Sequence, residues 1–243
     1  MSDGAFDAAV APHYDTGCAD MFAPEVLGPT VAFLAELAGG RPSLEFAVGT
    51  GRVALPLAEA GVEVHGIELS RAMVAEMRHK PGAERVPVTI GDMATTRVDG
   101  EFGLVFLVFN TITNLLTQDE QVACFRNAAA HLAPGGCFVI ETGVPRLQQL
   151  PRGERFLPFT VDDEYVGVDE YDLVEQRLSS HHYRVGEHHG RFSSEHRWAW
   201  PAEYDLMARI AGLQLRERWA GWDRAPFTAT STSHVSVWER PAP

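Results

Sequence analysis

Residues 44–58, LEFAVGTGRVALPLA, place a short apolar run (Leu44, Phe46, Val48) ahead of Gly49-Thr50-Gly51, and a periodic apolar segment (Val53, Leu55, Leu57, Ala58) after it. Glycines at a strand-to-helix turn bring bare backbone and helical N–H groups close to a ligand. A second run, Val62 to Ile67, ends in Glu68. In a βαβ unit that acid sits beside the glycine turn, where a carboxylate can accept bonds from ribose hydroxyls. The chemistry these residues suit is binding of a nucleoside-containing cofactor. Gly49-x-Gly51-x-x-Ala54 also satisfies the loose dinucleotide pattern, a weak signal alone. Glu45 argues against a pyrophosphate, which it would face unfavourably from inside the first strand; it suits an ammonium group or an organising hydrogen-bond network. Arg52 follows the turn directly and is placed to meet a substrate or cofactor carboxylate.

Two other groups of residues could do chemistry. Five histidines cluster at His181, His182, His188, His189 and His196, around Glu187. Their spacing matches no zinc pattern, and a solvated hairpin is the simpler reading. Adjacent histidines in a strand point to opposite faces, so one of His181 and His182 is expected to face a pocket if the hairpin is a lid. Histidine is the natural general base for a phenol or hydroxyl. The second group is His13-Tyr14-Asp15, in an N-terminal stretch expected to be loosely ordered over residues 1–19 unless a ligand pins it.

The elements that must position these residues follow from periodicity. A helix is expected over 24–38, started by Pro24 and stopped by Gly39-Gly40. Then come strand 43–48, helix 51–60, strand 62–68, helix 70–79 with Ser70 as N-cap, strands 86–90 and 103–109, helix 118–132 and strand 136–142. Such alternation implies a mostly parallel sheet covered on both faces. After Pro145 the pattern changes to aromatic residues alternating with charged ones, which reads as short antiparallel strands. Leu178–Val185 and Gly190–Ala199 form a hairpin around Gly186-Glu187. A helix from Pro201 and strands 213–219 and 233–239 close the chain. The fold expected is α/β: a Rossmann-like, doubly wound, mostly parallel seven-stranded sheet with an antiparallel β insertion, a lid, before the last helix. Residues 1–145 and 201–243 would form the cofactor-binding core, and 146–200 the inserted lid that shapes the substrate pocket.

Composition bounds the partners. A net charge of −13 counts against a phosphate-tracking surface, so nucleic acid is not expected. No apolar stretch is long enough to span a bilayer, and the N-terminus lacks the pattern of a signal peptide. Cys18, Cys124 and Cys137 form no ligand pattern and suggest a reducing cytoplasm. A small-molecule substrate and a homodimer are the partners expected. The Gly-, Ala- and Arg-rich, Lys-poor composition looks like that of a high-GC bacterium.

The ordered set of Gly49-Thr50-Gly51, Glu68, Gly91-Asp92-Met93 and Leu132-Ala133-Pro134-Gly135-Gly136 resembles the class I S-adenosylmethionine-dependent methyltransferases. The resemblance covers about residues 30–142 closely and 201–240 more loosely; the first family glycine is replaced by Ala47. It implies S-adenosylmethionine as cofactor, bound by Tyr14, Ala47, Gly49, Thr50, Gly51, Glu68, Leu69, Asp92, Met93 and Phe109. Glu68 would hold the ribose diol, Asp92 the adenine amino group, and Met93 would lie against the adenine face. The family places groups near the methyl donor at Phe109-Asn110-Thr111-Ile112. An Asn-Pro-Pro-Tyr-type motif of DNA amino-methyltransferases is absent there. Asn110 also stands where metal-dependent catechol enzymes carry aspartate, so no metal is expected. Several small-molecule members close an N-terminal arm over the cofactor, with a tyrosine near the sulfonium or the carboxylate, which points to Tyr14. The candidate catalytic residues are His181, His182, Asn110 and Tyr14, for methyl transfer to a small amine or hydroxyl. A nicotinamide-dependent oxidoreductase and a non-catalytic cofactor-binding module are the alternatives; no Tyr-x-x-x-Lys relay supports the former.

Overall fold

The computed structural model describes residues 6–185 and 190–242. A seven-stranded sheet has the order β10-β11-β5-β4-β1-β2-β3. It is built from β1 (Ser43–Phe46), β2 (Val64–Glu68), β3 (Val88–Ile90), β4 (Phe102–Leu107), β5 (Leu132–Gly143), β10 (Gln214–Trp219) and β11 (Ser233–Glu239). β1 to β5 run parallel, and β11 is antiparallel to both β5 and β10. The chain winds outward from β1 to β3, then returns to β4 on the other side of β1. That reversal opens a crevice at the carboxyl ends of β1 and β4, where ligands of open α/β sheets bind.

Successive residues of each strand feed opposite faces. Val105 and Leu107 of β4 join a core with Phe125 of α5 (Gln118–His131) and Tyr204 of α6 (Pro201–Ile210). Leu104 and Phe106 join the opposite core with Phe33 of α2 (Pro24–Ala38) and Leu57 of α3 (Ala54–Glu59). A capping box at Thr117 and Glu120 starts α5. The Ser70 hydroxyl caps α4 (Arg71–Arg78) by accepting from the Met73 N–H at 3.2 Å.

Three expectations are corrected. The first concerns the strand ends: β1 stops at Phe46 and β4 at Leu107, because Ala47, Phe109 and Asn110 have φ of 52°, 57° and 58° and turn the chain out of the sheet. The second concerns α3, which starts only at Ala54, since Gly51 (φ 80°) holds the turn open. The third concerns the N-terminal stretch: its described part folds against the glycine turn, with α1 at Ala11–Gly17. Asp7 Oδ1 accepts from the Ala9 and Val10 N–H groups at its start, and contacts to the glycine turn, described below, hold it.

Between β5 and α6 the chain forms a separate antiparallel sheet, β6-β7-β8-β9: Phe156–Val161, Tyr165–Asp172, Arg177–Arg184 and Gly190–Arg197. The Gly186-Glu187 turn and His188 and His189 lie outside the described residues. Cross-strand register puts Gly167, Asp169 and Tyr171 of β7 on one face with Leu178, Ser180 and His182 of β8, and Phe192, Ser194 and His196 of β9. This inner face turns toward the carboxyl edge of the large sheet: His196 Nδ1 is 3.1 Å from Thr113 Oγ1, just after β4. A buried hub roots the sheet. Arg197, 4 % exposed, donates to Glu203 (2.6 Å), Gln176 (2.9 Å) and Gln121 (2.6 Å).

Candidate functional site

The crevice is lined by Tyr14, Glu45, Ala47, Gly49, Thr50, Arg52, Phe109 and Thr111, among others. One side is the turn after β1. Glu68 Oε2 accepts from the Gly49 N–H at 2.8 Å, and its Oε1 accepts from the Ser70 N–H at 2.8 Å. The carboxylate at the end of β2 therefore braces the glycine turn and the start of α4 together. Leu69 is half-buried between them. Thr50 is buried, and its hydroxyl donates to Asp15 Oδ1 at 2.6 Å.

Asp15 also pairs with Lys80, whose Nζ donates to the Thr50 carbonyl at 2.8 Å. Arg52 donates to the Met21 carbonyl at 3.3 Å, and Ser70 Oγ donates to the Phe6 carbonyl. The N-terminal arm is thus tied down on both sides of the turn, which sets Tyr14 against the crevice. The Phe6 and Tyr14 rings meet edge-on at 5.8 Å. Burial is the main cause that pushes the Tyr14 phenol up to about 12, so it stays protonated at neutral pH.

Glu45 lies at the floor and is 3 % exposed. Burial pushes its carboxyl up to about 8, opposed by the Arg52 guanidinium and a bond from the Ala54 backbone. Among the described residues its Oε2 has no hydrogen-bond partner. An orphaned buried carboxyl oxygen beside an arginine suits a zwitterionic group that brings its own ammonium and carboxylate. The donor set of the crevice therefore fits the methionine end of S-adenosylmethionine.

The other site residues are distributed as follows. Asp92 Oδ1 accepts from the Ala94 N–H at 2.8 Å, while the Met93 side chain is 1 % exposed and belongs to the hydrophobic core. Phe109 lines the crevice, with the Arg52 guanidinium 5.1 Å from its ring centroid. Asn110 Oδ1 accepts from Thr142 Oγ1 at 3.0 Å and from the Gly143 N–H at 2.5 Å, stapling the end of β4 to β5. His181 is on the outer face of the small sheet, beside Glu170 (3.2 Å) and Ser193 (2.9 Å). His182 is on the inner face, bonded to the Tyr165 hydroxyl. It stands four strand positions beyond the Leu178–His196 row, or about 14 Å along the strand. His196, in that first row, is the histidine beside Thr113; it belongs to the histidine cluster of the sequence but only strand register distinguishes it. Asp15 was flagged in sequence only with its neighbours His13 and Tyr14; Lys80 carried no signal, because its partners Thr50 and Asp15 lie far away in the chain, and Asp169 carried none, because only strand pairing sets it on the inner face.

Among the described residues no group of three or more His, Cys, Asp or Glu side chains could hold a metal ion, and no helix is long and apolar enough to cross a membrane. A depression between α5 and the α6–β10 turn, lined by Arg126, Ala129, Ile210 and Arg240, opens on the amino-terminal edge of the parallel strands, away from this crevice.

Comparison with known proteins agrees with this geometry. Residues 44–136 match the methyltransferase domain family. The chain is 39 % identical to the CcbJ methyltransferase from Streptomyces caelestis, with a TM-score of 0.87 and 100 % of each chain covered. It is 31 % identical over 205 residues to the cypemycin N-terminal methyltransferase of a Streptomyces species, covering 83 % of this chain and 84 % of that one. Over 99 residues, 40 % of this chain and 38 % of the other, it is 35 % identical to the dTDP-3-amino-3,6-dideoxy-alpha-D-glucopyranose N,N-dimethyltransferase of Streptomyces fradiae. The chain belongs to the S-adenosylmethionine-dependent methyltransferases. Its cofactor is S-adenosylmethionine, and the methyltransferase reading stands over the nicotinamide one.

Proposed function

We propose that this enzyme methylates the nitrogen of a small amine of natural-product or amino-sugar type. The observation that carries the reading is the state of the side chains near the crevice. Bound S-adenosylmethionine supplies a methyl group already activated on a sulfonium, so a neutral amine needs only its lone pair, whereas a hydroxyl needs a base. Tyr14 is held protonated by burial. Asn110 spends its oxygen on Thr142 and Gly143. His196 has both ring nitrogens engaged, with Thr113 Oγ1 and Ser194 Oγ. None of these three side chains is poised as a strong base, and Glu45 on the crevice floor is taken up by the cofactor's ammonium in this reading, so positioning in a dry site does the work. Relatives that act on amines, the cypemycin N-terminal enzyme and the amino-sugar dimethyltransferase, support the same reading.

In this reading Glu45 and Arg52 receive the ammonium and carboxylate of the cofactor, Glu68 its ribose, and the Asp92–Met93 segment its adenine. Ala47, Gly49, Thr50, Gly51, Leu69 and Phe109 form the surrounding walls. The arm over residues 6–22 excludes water, and Tyr14 positions the reacting groups. The small sheet, residues 146–200, covers the edge and supplies the acceptor pocket. The acceptor is expected to be met in the cytoplasm. Tyr14→Phe tests the assignment. Turnover of an amine should fall by about tenfold, the loss of one positioning hydrogen bond, while the acidic limb of the pH profile, set by the amine's own ionisation, stays in place. A shift of that limb in the variant would make Tyr14 a base and contradict the reading.

A further inference from the structure

Among the described residues the inner face of the small sheet carries one carboxylate, Asp169, on the middle row between His196 and His182. It is 8 % exposed, and its Oδ1 accepts from Ser180 Oγ at 2.9 Å. Among the described residues no lysine or arginine forms an ion pair with it. Arg146, whose charge acts on it, donates instead to Gln149 Oε1 at 2.8 Å. Burial holds the Asp169 carboxyl above its usual range, as expected of an acid that lacks a counter-ion.

Aromatic rings flank this carboxylate. A Cβ at Gly167 would lie 2.2 Å from the Phe159 ring, so glycine there lets Phe159 fold over the inner face. Phe159 meets His182 edge-on and Phe192 meets it tilted, with centroids at 5.4 and 5.6 Å. Tyr171 is buried on the root side of Asp169. Flat apolar walls around one carboxylate and one hydroxyl suit a ring that carries hydrogen-bond donors. Asp169 lies one row, two residues, beyond the row that meets Thr113, or about 7 Å along the strand. A group held there lies about 7 Å from one held beside Thr113, room for two ends of one acceptor.

Resting on the amine reading above, we infer that Asp169 and Ser180 anchor a second donor-bearing end of the acceptor, ring hydroxyls or an ammonium, and so select polyfunctional, sugar-like amines over simple ones. Asp169 is a binding residue in this scheme and takes no part in methyl transfer.

The test uses the complex with S-adenosylhomocysteine in an amine-free buffer. Glucosamine and cyclohexylamine are the probes, titrated while the ring signals of His182 and His196 are followed by nuclear magnetic resonance. Glucosamine should perturb both histidines saturably, and Asp169→Asn should weaken its binding about tenfold, the cost of one charge-assisted hydrogen bond. Cyclohexylamine binding unaffected by the substitution would agree with a contact to ring hydroxyls; an equal loss would place the single reacting ammonium at Asp169 and overturn the selection of polyfunctional amines. Calorimetric affinity for S-adenosylhomocysteine should be unchanged. Ser180→Ala, which frees Oδ1, should weaken glucosamine by a few-fold and carries the test if the asparagine variant fails to fold. Glucosamine binding equal in wild type and variant, or absent from both histidines, would overturn the inference. Asp169-dependent binding without any N-methyl product would remove the amine reading and leave the anchor standing.

Discussion

Both carboxylate oxygens of Glu68 accept backbone N–H groups, Gly49 on one side and Ser70 on the other, each at 2.8 Å. The residue therefore braces the turn as well as facing the crevice. Glu68→Ala should weaken S-adenosylhomocysteine binding on the order of tenfold to a hundredfold in calorimetry. It should also lower the melting temperature, because two partly buried amides lose their acceptor. A folded variant with wild-type affinity would take Glu68 out of the cofactor site. Glu45 carries a pH signature. Its pKa is about 8 in the fold and 4.5 as the free side chain, so the folded state binds more protons across that window. Stability is then lost as pH rises through it, by up to about 1.4 kcal/mol per pH unit. Buried His234 acts in the opposite sense at lower pH: its folded pKa is about 3 against 6.5, so its contribution is lost as pH falls below 6.5. Above 6.5 that opposition ends, and the melting temperature of the ligand-free protein should fall toward pH 8, with Glu45→Gln flattening the fall. An unchanged slope in the variant would contradict the buried-acid account. Glu45, Glu68 and Arg52 were legible in sequence because each sits next to, or one strand from, the glycine turn. Asp169 and His196 were not, since only cross-strand register shows which face a residue of a polar hairpin occupies.

The elements show why periodicity overshoots. Apolar character continues through Ala47-Val48 and Val108-Phe109, so both strands read two residues too long. The chain leaves the sheet where Ala47, Phe109 and Asn110 enter the left-handed region, and only glycine advertises that conformation. Ala47, where the resembled family has glycine, pays a steric cost of about 1–2 kcal/mol for φ 52°. Glycine regains most of it, less the greater entropy of its unfolded chain. Ala47→Gly should therefore raise the melting temperature by roughly 1–4 °C; a lower value would mean the alanine methyl packs better than its backbone is strained. The N-terminal helix was hidden for a different reason. Its ties, Asp15 to Thr50 and Lys80, span more than thirty residues of chain, and no local pattern marks them.

At the scale of the molecule, the sheet reverses its winding between β1 and β4, the arm closes one side of the crevice, and the small sheet turns its aromatic and polar face toward the same edge. The alternation of strands and helices made the large sheet legible, including its two closing strands, whose antiparallel pairing only the structure gives. The inner face proposed for the acceptor was not legible, because its chemistry appears only after the strands pair. A net charge of −13 counts against a surface that tracks phosphates. The most direct test is a transfer assay with methyl-labelled S-adenosylmethionine and two acceptors of one shape, glucosamine and glucose, with products read by mass spectrometry. The account predicts label on the nitrogen of glucosamine and none on glucose. Label on a glucose hydroxyl, with glucosamine methylated only on oxygen, would contradict it.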